Sequence, residues 1–172
     1  LFIEAIVKAI KDLPLINSSV DGNNIIRKKD INIGMATALP SGNLIVPVIK
    51  NADQLNLVGL TRHVNNLANA ARNNKLKPDD TAGGTFTLTN VGSFGSIMGT
   101  PIINQPQLAI LGVGKIEKRA KVMTTPDGDD FIGMRWMAYF ALSFDHRVID
   151  GSDAERFLAF IKEQLEGGDF SV

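Results

Sequence analysis

With 172 residues and 44% apolar content, the chain is long enough for one substantial core, and its size fits a single domain. Its 18 basic and 18 acidic side chains cancel, so no overall field draws it to nucleic acid or an anionic membrane, and a charged ligand has to be met locally. The lack of cysteine excludes a disulfide scaffold, a thiolate metal site and a cysteine nucleophile, and no apolar run reaches the roughly 20 residues of a membrane span.

The chain opens at Leu1, with neither a capping residue nor the charged start of a signal peptide, and is expected to be cut from something longer. Ile3, Ile6, Val7, Ile10 and Leu13 form a helical stripe over residues 1–13 that must stop at Pro14. A turn at Asp21-Gly22-Asn23 follows, and then two apolar, β-branched segments, 31–39 and 44–49, are joined as a hairpin by Pro40-Ser41-Gly42-Asn43. Pro47 cannot donate to a ladder, so the second strand is expected to be an edge or to bulge there. Leu60, Val64, Leu67, Ala68 and Ala71 share one face of a second helix over 57–74, capped by Asn56. Residues 85–89 alternate as a strand and deliver polar side chains to the glycine-rich loop 90–96. Two long strands, 108–123 and 131–144, read as a ribbon turning at Pro126-Asp127-Gly128-Asp129. Ser152 and Glu155 form a capping box for a last helix carrying Phe157, Leu158, Ile161 and Leu165. The predicted class is α+β with a mixed or antiparallel sheet.

The two histidines sit in different settings. His63 lies within the second helix and is read as a partly exposed helix residue with no chemical role. His146 lies in Asp145-His146-Arg147-Val148-Ile149-Asp150-Gly151, between a long strand and a helix, where a rigid scaffold can position a group and leave it accessible. Imidazole as a class titrates near neutrality and can take and return a proton, and Asp145 or Asp150 could fix its tautomer. On the residues alone two readings stay open: a general base, or a loop histidine bonded to backbone beside an Asp145–Arg147 surface pair. Asp145, His146 and Asp150 make a poor transition-metal set without a second imidazole, so no metal is expected. Gly112-Val113-Gly114 lacks the third small residue of a dinucleotide loop, Gly83-Gly84 lacks the lysine of a P-loop, and no G-x-S-x-G elbow is present.

The stretch from Asp145 to Gly151 matches the DHRxxDG motif of the 2-oxo acid dehydrogenase acyltransferases. The segments 43–49, 83–90 and 100–107 resemble that family in the same order, so the likeness covers nearly the whole chain. The resemblance implies a fold like that of chloramphenicol acetyltransferase, with homotrimers that place active sites in channels between subunits and assemble into larger hollow cores. It implies acyl transfer between a lipoyl thiol and coenzyme A, with lipoate carried on a separate domain. The lipoyl domain, the peripheral subunit-binding domain and the opening part of the catalytic domain are expected to lie outside this sequence, residues 1–172 being read as catalytic domain. Partners implied are the dehydrogenase and dihydrolipoamide dehydrogenase components, in the bacterial cytoplasm or the mitochondrial matrix.

In that family's scheme His146 removes the proton from the attacking thiol and returns it to the leaving sulfur. Thr89 occupies the hydroxyl position that donates to the oxyanion. Asp150 takes a supporting, orienting role, since some members carry Asn there, and Gly151 is expected to permit a tight approach into the helix. Without a cysteine, and with no acyl-enzyme required, transfer is direct within a ternary complex. Two rivals are a stand-alone acetyltransferase resembling chloramphenicol acetyltransferase, disfavoured by Arg147 and by the 100–106 stretch, and a silent core protein, disfavoured by the presence of His146 and Thr89. No residue identifies the acyl group.

Overall fold

The computed structural model describes residues 1–168 and residue 170. Helix α1 (Phe2–Asp12) forms as its stripe dictates, burying Ile3, Ile6, Val7 and Ile10 and ending ahead of Pro14. Where only a turn was expected, a small hairpin forms from β1 (Ser18–Asp21) and β2 (Asn24–Arg27), with Gly22 at φ 57° supplying the left-handed turn residue. Its strands are too short and too polar to show a two-residue hydrophobic period.

The predicted hairpin over 31–49 is present but divided. The outgoing strands are β3 (Ile33–Met35) and β4 (Thr37–Ala38), and the returning ones are β5 (Leu44–Ile45) and β6 (Val48–Ile49); β4 pairs with β5 and β3 with β6. The break falls at Pro47, whose carbonyl accepts from the Met35 N–H at 2.8 Å but which has no N–H to return. Helix α2 (Leu57–Arg72) is capped as expected, the Asn56 side chain accepting from the Gly59 N–H at 2.9 Å.

The central strand β7 (Phe86–Asn90) follows. The two long strands expected next are each interrupted, giving β8 (Ala109–Val113) then β9 (Glu117–Thr124), and β10 (Asp130–Met137) then β11 (Phe140–Phe144). Together they are one long hairpin whose inner half, β8 with β11, belongs to the main sheet and whose outer half, β9 with β10, is a separate two-stranded ribbon. The interruption has a local cause: the 96–97 loop crosses here. Ser96 O accepts from the Lys115 N–H at 2.9 Å, and a Cβ on Gly114 would overlap the Ile97 carbonyl oxygen, so the site accepts only glycine.

The main sheet has the order β11-β8-β7-β3-β6, parallel among β8, β7 and β3 and antiparallel at both edges, so the class is α+β with a mixed sheet. The last helix, α3 (Gly151–Gly167), packs beside α1, and the two bury Ile6, Ile10, Phe157 and Ile161 in a core that includes Ile33, Phe86 and Leu111 of the sheet. The Phe86 and Phe157 rings meet with centroids 5.6 Å apart. Each such side chain contributes about 1.5–3 kcal/mol by leaving water. This packing fixes the sheet-to-helix turn carrying His146, because both its flanks are anchored in the same core.

Candidate active site

The turn after β11 is built by backbone bonds. The Asp145 N–H donates to Leu108 O at 2.8 Å, carrying the β11–β8 ladder one residue past Phe144 and Ala109. Asp145 O then accepts from the N–H groups of Val148 (3.1 Å) and Ile149 (3.0 Å), closing a tight turn, while Ile149 is buried. His146 sits at the exposed apex, its ring 5.4 Å from that of Phe144. The sheet therefore delivers an imidazole to solvent on a rigid base.

The two carboxylates proposed as tautomer partners are both engaged elsewhere. Asp145 grips its own neighbour: Arg147 Nε lies 3.0 and 3.1 Å from the two carboxylate oxygens, Nη2 lies 2.6 Å from Oδ2, and the Arg147 N–H donates to Oδ1 at 3.0 Å. These bonds from the guanidinium, then from the backbone, hold the Asp145 carboxyl below the usual carboxylate range. Asp150, not Ser152, is the N-cap of α3. Its Oδ1 accepts from the Asp153 N–H at 3.0 Å and from the Ser152 hydroxyl at 2.7 Å. The expected Ser152–Glu155 capping box is thus displaced by two residues, because Asp150 has the extended backbone an N-cap needs and an acceptor that reaches the same orphan donors. The Asp153 N–H, then the Ser152 hydroxyl, depress the Asp150 carboxyl, with a smaller contribution from the nearby His146. Asp150 therefore serves the helix, with its charge near His146. Gly151 does not mediate a tight approach: a Cβ there would meet nothing within 4 Å.

Both depressed carboxylates contribute stability that is complete above their ordinary value of about 3.9 and is lost as pH falls through their lower folded values. Both lie at the surface, so the effect is modest. Asp150→Asn retains a capping acceptor, so it is expected to melt like the parent at pH 7 and to lose less stability below about pH 4. Thermal melts across that range check this, and unfolding of α3 at pH 7 would sink the cap assignment.

Thr89 lies half-buried on β7, aligned with Gly112 of β8, which is in turn aligned with Ala141 of β11. Phe144 is three residues further along β11, and two strand spacings separate β7 from β11. That places Thr89 about 14 Å from Phe144, with His146 farther still, since a strand rises about 3.4 Å per residue and neighbours are about 4.8 Å apart. Within one chain the structure brings His146 and Asp150 together and sets Thr89 at the opposite end of the sheet. Hydrophobic patterning cannot reveal this, because the separation depends on strand order and register. The two features of the site that sequence reasoning missed, the Phe144 ring under His146 and the Leu108 carbonyl that pins the turn, carry no motif of their own. His63 is exposed on α2, away from the His146 turn in sequence and element.

A five-stranded mixed sheet with an Asp-His-Arg turn leading into a capped helix defines a class of acyl-transferring domains, and the family model of the 2-oxoacid dehydrogenases acyltransferase catalytic domain matches residues 1–170. The chain belongs to that family. The succinyltransferase component of the 2-oxoglutarate dehydrogenase complex of Bartonella vinsonii is 45% identical over 96% of this chain and 39% of its own length. Relatives described as succinyl-, acetyl- and branched-chain acyltransferases all fall at 42–46% identity, so likeness alone does not separate the acyl classes. The chain spans about a quarter to two fifths of the length of these curated relatives. Among solved structures, a probable dihydrolipoamide acetyltransferase of Listeria monocytogenes matches with TM-score 0.90 and 45% identity, over 96% of this chain and 68% of that one. The dihydrolipoamide acetyltransferase of Azotobacter vinelandii matches with TM-score 0.84 and 40% identity, over 95% and 66%; its structure was determined to study the catalytic role of a serine, a histidine and an asparagine four residues after that histidine. A cubic core of a pyruvate dehydrogenase multienzyme complex matches equally well.

Proposed function

We propose that this chain is a dihydrolipoyllysine-residue acyltransferase catalytic domain, moving an acyl group between a lipoyl thiol and the thiol of coenzyme A. The observation that carries the reading is the DHRxxDG turn itself: an exposed imidazole on a pinned strand-to-helix turn, with a carboxylate four residues on, in the spacing of the histidine and asparagine studied in the Azotobacter relative. His146 is the general base. A thiol of ordinary pKa, about 8.5, is within easy reach of an imidazole, which then returns the proton to the departing sulfur. Thr89 donates to the oxyanion of the tetrahedral intermediate, in the place of the relative's serine. Asp150 orients and supports the His146 turn. No acyl-enzyme is needed, and both thiols react in one ternary complex.

Because Thr89 and His146 stand at opposite ends of one sheet, we assign each complete site to two copies, the Thr89 of one facing the His146 of the next in a homotrimer. One surface supports this. Along the β9–β10 ribbon, Ile132, Met134 and Trp136 alternate onto one face opposite Val122, and all four are more than half exposed. The ribbon continues from Val113 and Phe140, the end of the sheet that holds Thr89, so a copy seated on it lies beside Thr89. Trimers of this kind would build the larger core, with the dehydrogenase and dihydrolipoamide dehydrogenase components joining through other parts of the protein. The cellular site is the bacterial cytoplasm or the mitochondrial matrix.

The test is acyl transfer from acetyl-, succinyl- and isobutyryl-coenzyme A to dihydrolipoamide by the assembled protein. One donor is expected to be turned over and to name the acyl class; transfer from none of the three by folded, assembled protein rejects the reading. Thr89→Ala is expected to cost about 10²–10³ in kcat with little change in KM, the loss typical of one oxyanion donor. Steady-state kinetics decide, and a pure KM effect would remove Thr89 from the transition state.

A further inference from the structure

Thr87 and Gln107 are polar residues, 1% and 7% exposed, that neither the acyl-transfer scheme nor the apolar core uses. Side chains alternate along β7, so Phe86 meets Phe157 on the helix side while Thr87 points to the other face of the sheet. There the Thr87 hydroxyl donates to Gln107 Oε1 at 2.6 Å. Two glycines make room for this contact. Gly34 of β3 is aligned with Thr87, and a Cβ on it would stand 3.0 Å from the Thr87 hydroxyl and 2.8 Å from Val46 Cγ1. Gly84 precedes Thr87 on the same approach, and a Cβ there would lie 2.9 Å from Gln107 Nε2. A buried amide oxygen is stable with a donor and costly without one, so the Thr87 hydroxyl holds the Gln107 side chain in one place.

Gln107 in turn anchors the entrance to β8. Residues 98–107 form neither helix nor strand, and Asn104, Gln105 and Pro106 are exposed, so no ladder steadies the chain before this point. The residue after Gln107 is Leu108, 1% exposed, whose carbonyl accepts from the Asp145 N–H at 2.8 Å. That bond pins the His146 turn. A path therefore runs from the Thr87 hydroxyl to the Gln107 amide, the Leu108 carbonyl, the Asp145 N–H and His146, each step being a hydrogen bond or one move along the backbone. It joins the three stretches 83–90, 100–107 and 145–151 that stand out in the sequence. Thr89 lies on the same strand as Thr87, but β7 is held by ladders to β3 and β8 on its two sides, so loss of one side-chain bond leaves Thr89 where it is.

We propose that Thr87 and Gln107 are positioning residues for His146: their buried bond sets the Leu108 carbonyl and, through it, the place of the imidazole. A general base must stand within hydrogen-bond reach of the proton it takes, and misplacement by about 1 Å can cost on the order of 100-fold in rate. The inference rests on the acyltransferase reading for its effect on turnover, while the tether itself is a property of the fold.

The experiment uses the assembled protein with Thr87→Val, which keeps the branched shape and removes the donor, and Thr87→Ser, which keeps a hydroxyl. Thr87→Val is expected to lower kcat on the order of 10-fold with KM for both thiol substrates unchanged, and Thr87→Ser to restore most of the loss. On a His146→Ala background, Thr87→Val is expected to change the residual turnover by less than about 2-fold, and on a Thr89→Ala background to keep its full effect. Hydrogen exchange followed by mass spectrometry reads the tether without turnover: the Asp145 amide is expected to exchange on the order of 10-fold faster in Thr87→Val, with the amides of β7 unchanged. Thr87→Val/Gln107→Leu leaves no orphaned acceptor and carries the same expectations if the single variant does not assemble. Parental exchange at Asp145 in the variant overturns the tether whatever its kcat. Faster exchange with parental kcat, a loss of turnover equal on the parental and His146→Ala backgrounds, or a serine no better than valine overturns the role toward His146 and leaves the acyltransferase reading standing. Faster exchange at Asp145 in the variant of a folded, assembled parent that transfers no acyl group keeps the tether and overturns that reading.

Discussion

His146→Ala is expected to lower kcat by about 10²–10⁴-fold, the contribution of a positioned general base, with fold and assembly unchanged. The reason for expecting an intact fold is that the turn is held by backbone bonds from Asp145 and by buried Ile149, while the imidazole is exposed and rests on Phe144. The sharper consequence comes from combining it with Thr89→Ala. If each site draws Thr89 from one copy and His146 from another, two inactive variants that co-assemble at random regenerate wild-type sites at about one in four interfaces. Mixing, unfolding and refolding the two variants together should therefore restore roughly a quarter of parental turnover. Each variant refolded alone should restore none. Mixed assemblies, verified by mass, that recover nothing would mean that the two residues act within one chain or not in one site.

The sequence announces elements wherever a side-chain period is long enough to count. The α1 stripe, the Asn56 cap on α2 and the break at Pro47 are all local effects, and all are present. The β1–β2 hairpin and the interruption of the long ribbon are not local in this sense. The first has four residues a side and no buried stripe, and the second is imposed by a loop crossing at Gly114. At the site, His146 and Asp150 were legible because a helix start and a strand end place them within one turn of each other. Their bonds were not. Asp145 and Asp150 both had nearer donors than the imidazole, in Arg147 and in the first turn of α3, and a carboxylate takes the donors that geometry offers. The opposition of Thr89 and His146 could be seen only after the register of β7, β8 and β11 was known.

If each site is shared between two copies as proposed, association is a condition of activity, and the ribbon is where it can be broken most cleanly. Ile132→Glu with Met134→Glu is expected to yield monomers with parental circular dichroism and no detectable acyl transfer. Ile132 and Met134 are 75% and 61% exposed, so charge there leaves the core untouched. Against a second copy, each substitution forfeits about 1.5–3 kcal/mol of apolar burial and must desolvate a carboxylate, and a ring repeats that loss at every interface. The protein carries its own reporter. Trp136, the chain's single tryptophan, shares the face and lies 68% exposed in the isolated chain, with the Lys118 ammonium 5.5 Å from its ring. Burial of that face in the assembly predicts blue-shifted emission for the parent and a red shift, matching loss of mass in sedimentation, for the double variant. An oligomer of unchanged mass with unshifted emission would show that the ribbon faces solvent, and the pairing of Thr89 with His146 would then have to be sought across another surface.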